Sequence, residues 1–155
     1  MDTSEQFIRM CDCPEIQGGW KPKVGDYVWR KYTIFGEELD RTIWPEDKRQ
    51  EVVILHYQSS VEGYYHAVNA EGDERIFASA EDIEKVTSIW LPRQDQLQEM
   101  VGDSWIQRVS MLWRMLMEDC DWAIQRADSL EQAWLMLVMH EKYGKHWTRE
   151  AWVEV

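Results

Sequence analysis

Apolar residues recur at helical spacing in two stretches near the C-terminal end. These are WIQRVSMLWRMLM (105–117) and LEQAWLMLVMHEKY (130–143), joined by the polar segment EDCDWAIQRADS. In the first, Trp105, Val109, Leu112, Trp113 and Leu116 form one stripe, which Ile106, Met111, Met115 and Met117 widen. In the second, Leu130, Ala133, Trp134, Leu137 and Val138 repeat with the helical period, and Leu135, Met136 and Met139 fill the other sides. A helix that is apolar nearly all round is buried or sits against a partner chain, so both stretches are expected in the core. The alternative for the methionine-rich first stretch is an adaptable binding face. The second stretch also carries end signals. Ser129 followed by Gln132 has capping-box spacing, Gly144 suits a left-handed C-terminal cap, and Lys142 suits the negative end of the helix dipole.

Upstream the period changes from that of a helix to that of strands. GDYVWRKYT starts at a Gly-Asp turn and is rich in β-branched and aromatic residues. EVVILHYQ is a continuous apolar run of the kind found in a strand buried on both faces. GYYHAVN and ERIFAS flank AEGD, which is hairpin chemistry, and SAEDIEKV predicts an acidic helical turn returning as a last short strand. The segment from Phe35 to Lys48 reads as a long loop. A short helix is expected over residues 2–10, capped by Asp2 or Thr3, with CDCPEIQGGWKP as an irregular connector behind it. In SIWLPRQDQLQEMVGDS, Pro92 suits a first helical position and Gly102 a stop, while KHWTREAWVEV reads as a tail folded over the helices.

The order is strands then helices, which predicts an α+β fold. A small antiparallel β-sheet or SH3-like barrel comes first, with a plain meander as alternative, and a C-terminal three-helix block follows. The expected division is a β-rich subdomain over 1–87 and a helical subdomain over 88–155, with one shared core as the alternative. In the strands, alternation should set Tyr27 with Trp29, and Tyr64 with His66, on common faces.

Composition changes this picture in three places. Ten tryptophans in 155 residues imply a core built from few, large side chains. A net charge of −12, from 17 basic and 29 acidic residues, repels phosphate backbones and makes nucleic acid an unfavourable partner. A basic stripe of Lys21, Lys23, Arg30 and Lys31 would be the exception. No apolar run reaches the roughly 18–20 residues of a membrane span, and the acidic, polar start MDTSEQFIRM does not read as a secretory signal. A cytoplasmic protein with no membrane partner is expected.

Candidate chemistry is sparse. Three cysteines, Cys11, Cys13 and Cys120, without an export signal predict free thiols. Cys11 and Cys13 are half of a zinc pair at best, since one intervening residue is shorter than the usual spacing and no good second pair follows. No cofactor is expected. His56 and His66 lie on neighbouring predicted strands, where they would pair as acid and base or, more simply, as structural residues. Cys120 in MEDCDW is surrounded by acids that disfavour a thiolate nucleophile. The aromatic strand residues Trp29, Tyr57, Tyr64 and Tyr65, with His66, are the candidate binding set, able to stack a base or line a small pocket. Sheet packing explains the same residues without a ligand. The acidic runs EELD, PED and EDIE raise an acidic DNA mimic as a further alternative.

The blocks CDCPEIQ, PRQDQLQEM and SLEQAWLMLVMHEKYGKHW, with a closing Trp-Val, resemble a group of small uncharacterised proteins of bacteriophages and prophages, mainly of Firmicutes. The resemblance spans most of the chain. It implies a phage origin and a host-cell location, and it brings no activity and no functional residues. The expected function is therefore that of a non-enzymatic phage accessory protein that binds a protein partner or itself as a homodimer. A protein binding a small ligand or a nucleotide signal of host defence is the alternative.

Overall fold

The computed structural model describes residues 1–31, 50–58, 65–69, 74–77, 88–119 and 126–155. Helices and small antiparallel sheets are mixed, in the α+β class. The chain divides into two compact units, Met1–Gly18 with Pro92–Val155, and Gly19–Leu91. This differs from the expected division after residue 87 in two respects. The first eighteen residues belong with the C-terminal helices, and the sheet unit extends to Leu91.

The helical unit is built on α5 (Leu130–Tyr143), whose limits are those the apolar period predicts. Ser129 accepts from the Gln132 backbone N–H at 3.1 Å, and Gly144 closes the helix in the left-handed conformation at φ 60°. Every residue from Gln132 to Met139 is buried. One helix face cannot supply that, so cover comes from several directions. Those neighbours are α1 (Glu5–Cys11), α3 (Gln94–Glu99), α4 (Trp105–Arg114) and β6 (Lys145–Trp147). The buried side chains Phe7, Met10, Leu97, Val101 and Trp147 belong to these elements or their ends.

Gln132 is the polar member of this core, 1% exposed. Its side-chain oxygen accepts from the Asp128 N–H at 2.9 Å, one residue before the partner a capping box uses, and from Gln6 Nε2. Its amide nitrogen donates to the Asp2 carboxylate at 2.8 Å and to Ser4 Oγ at 3.3 Å. A buried amide left unpaired costs about 1–3 kcal/mol, so the N-terminal residues are fixed over the start of α5 by that demand. This corrects the expected cap of α1. Ser4 caps it, accepting from the Phe7 N–H, while Asp2 takes hydrogen bonds from Ser4, Ser129 and Gln132.

Other expectations are also corrected. Pro14–Gln17 is a short helix, α2, because proline at its first position suits a helix start. Pro92 precedes α3 rather than opening it, and Arg93 is the cap residue, its N–H donating to Gln96 Oε1 at 2.8 Å. The C-terminal segment does fold over the helices, as expected, and does so as a hairpin of β6 and β7 (Trp152–Glu154), held by Thr148 hydrogen-bonded to Ala151. The Trp152 indole N–H donates to Met10 O at 2.8 Å. Five residues of π-helix, Met115–Asp119, continue α4.

The other unit is a five-stranded antiparallel sheet in the order β4-β3-β2-β1-β5. The strands are β1 (Tyr27–Lys31), β2 (Gln50–Gln58), β3 (Tyr65–Asn69), β4 (Glu74–Phe77) and β5 (Ser88–Leu91). SIWL, read as the lead into a helix, is thus the strand that pairs with β1, Tyr27 opposite Leu91. The Gly25–Asp26 turn sets the start of β1. Gly25 sits at φ 91°, and Asp26, 2% exposed, accepts from the Lys23 N–H and the Trp20 indole N–H, both at 2.9 Å. Trp20 in turn stacks on Trp90, with ring centroids 5.9 Å apart. Val28 and Leu55 are buried, whereas Ile54 is exposed, so β2 at that point alternates instead of being buried on both faces.

Two predictions follow from burial and hydrogen bonding. Leu135→Ala should cost about 2–5 kcal/mol in urea unfolding, and Leu130→Ala, on the exposed side of the same helix, less than about 1 kcal/mol. Burial acts to raise the Asp2 carboxyl, but hydrogen bonds from Ser129, Ser4 and Gln132 outweigh it and hold the group below its ordinary 3.8. A lowered carboxyl stabilises the fold above that ordinary value and ceases to as pH falls through the folded-state value. Asp2→Asn should therefore be less stable than wild type at pH 7, and the gap should close as the pH falls below about 4 in thermal melts.

Candidate functional site

The residue set expected from the strands is only partly placed. Trp29 lies on β1, half-buried, opposite Val52 on one side and Ile89 on the other. Tyr57 on β2 pairs with His66 on β3, and Tyr65 pairs with Gln58 and Phe77. The side chains of Tyr57, Tyr65 and His66, and Tyr64 as a whole, lie outside the described residues, as do Cys120 and the acidic runs EELD, PED and EDIE. The register of β2 shifts between Leu55 and Tyr57, so His56 falls at an irregularity and is not the cross-strand partner of His66. This corrects the expected histidine pair.

Cys11 and Cys13 are both buried, on α1 and at the cap of α2. Burial pushes the Cys11 thiol well above its usual range, and the negative charge of Cys13, Asp2 and Asp12 adds to this. Burial likewise raises Cys13 to about 11. The Cys13 thiol points at Met10 O, 3.6 Å away. Metal ligation needs thiolates, which this environment disfavours. Among the described residues no three His, Cys, Asp or Glu side chains stand close enough to hold a metal ion. Glu15, near Cys13, is paired with Lys145, whose ammonium holds its carboxyl below the usual range.

The site that stands out is one that the helical period assigned to the core. On α4 the buried residue is Leu112, and Met115 follows it on the same side; these two face the body of the unit. The remaining apolar residues turn outward. Trp105 is 72% exposed, Trp113 61% and Val109 51%, and Ile106 and Met117 are exposed beside them. A stripe of this width on a well-capped helix is a continuous apolar patch, of the kind that monomeric surfaces rarely carry without use. The helix is held at its start by Ser104, which accepts from the Gln107 N–H at 3.3 Å, and by Arg108, whose Nε donates to Gly102 O at 3.1 Å. Gly102 supplies the turn into it, at φ 69°.

Along α4 runs an open groove of about 730 Å³, with Gln107, Val109, Ser110, Met111, Trp113 and Arg114 in its walls. Its chemistry is apolar and aromatic with amide, hydroxyl and guanidinium groups at the edges, and none of those six is a carboxylate, imidazole or thiol. Burial and hydrogen bonding are the interactions those groups can offer. Among the described residues no helix is long and apolar enough to cross a membrane. The signal for this site was present in the sequence as the unusual width of the Trp105–Met117 stripe, which exceeds what one neighbouring helix covers.

No family model, curated protein or solved structure matches the chain.

The thiol environment gives a direct check. Raising Cys13 from 9.0 to about 11 leaves about a hundredfold less thiolate at a given pH below both values. Native protein at pH 8 should accordingly take up iodoacetamide at Cys13 about a hundredfold more slowly than urea-unfolded protein, and at Cys11 more slowly as well, read site by site by peptide mass spectrometry.

Proposed function

We propose that this chain is a non-enzymatic protein that works by binding protein, through the outward face of α4. The observation that carries the reading is the exposure of Trp105, Val109 and Trp113 on a helix whose opposite side, Leu112 and Met115, is anchored in its unit. Tryptophan is enriched at the energetic centres of protein interfaces, because its large area is buried with few rotatable bonds to fix. The role of phage accessory protein, with action in the host cytoplasm, rests on the sequence resemblance alone. For the sheet we propose closure into an SH3-like barrel. The order β4-β3-β2-β1-β5, in which the fifth strand returns beside the first, supports it, as does the register shift in β2 where such sheets bend.

A second reading is binding of a small anionic or nucleotide-like ligand in the groove on α4. It draws support from Trp113 and Arg114 standing together there, an aromatic face beside a guanidinium.

A photo-activatable benzophenone residue placed at Trp105 and, separately, at Trp113 separates these readings in cells. Discrete protein adducts at both positions are expected, and none from the same residue at exposed Arg149. Absence of any protein adduct, with a nucleotide-sized mass retained in native mass spectrometry, would favour the second reading.

A further inference from the structure

We draw no further inference here: the strongest candidate, the exposed apolar patch of Trp105, Val109 and Trp113 on α4, already carries the protein-binding reading above, and nothing in the structure shows what covers it.

Discussion

Burial of α5 on all sides is the constraint from which the helical unit follows. From Gln132 to Met139 every residue of that helix is buried. An amphipathic helix needs one neighbour; a helix apolar all round needs a ring of them. The chain supplies that ring from pieces far apart in sequence, with α1 from the start, α3 and α4 from the middle and β6 from the end. The buried amide of Gln132 fixes which pieces fit. Gln132 makes hydrogen bonds with Gln6, Asp2, Ser4 and the Asp128 backbone, so the N-terminal segment is held by direction as well as by area. Apolar contact alone would tolerate a sliding α1. A buried amide with both its oxygen and its nitrogen partnered does not.

The same rule makes α4 the exception in its unit. Only Leu112 and Met115 turn inward, and the two outward indoles leave large apolar areas in water. Covering one such indole removes on the order of 150 Å² from solvent, about 3–4 kcal/mol before the cost of ordering a partner. Leu130 and Val155 are exposed as well, but singly; on α4 several large apolar side chains are exposed side by side. The exposed Trp105, Val109 and Trp113 lie on one ridge of the helix, which is the arrangement behind the association surface proposed above.

How far the sequence could be read depended on whether a signal was local. The α5 helix was legible to the residue because Ser129, the apolar period and Gly144 are all carried by neighbouring positions. The α+β class was legible from the change of period near Val24. The pairing of SIWL with β1 was not, since Pro92 two residues on imitates a helix start and the partner strand lies about sixty positions upstream. Nor was the cap of α1, where Asp2, Thr3 and Ser4 all carry the right side-chain chemistry and the choice is made by the distant Gln132. The stripe on α4 was visible, but periodicity reports only that a helix has an apolar face. What covers that face is a tertiary fact, and here the answer is that its own unit covers one side alone. Of the binding residues named from the strands, Trp29 is placed on β1, and the α4 residues were recognised first as core.

The sheet unit shows why an insertion of this length need not disturb the helices on either side of it in sequence. Its two ends are neighbours. Tyr27 pairs with Leu91 across β1 and β5, and Trp20 stacks on Trp90 just outside them. The Asp26 carboxylate ties that corner together by accepting from Trp20 and from the Lys23 backbone, and Leu55 closes it with hydrogen bonds to Gly25 and Asp26. A segment whose entry and exit strands are hydrogen-bonded side by side can be set into a chain without pulling the flanking residues apart, because its closure is completed internally. Residues 18 and 92 therefore belong to one compact unit although seventy-odd positions separate them, and the turn at Gly25–Asp26 is the local feature on which that arrangement hangs.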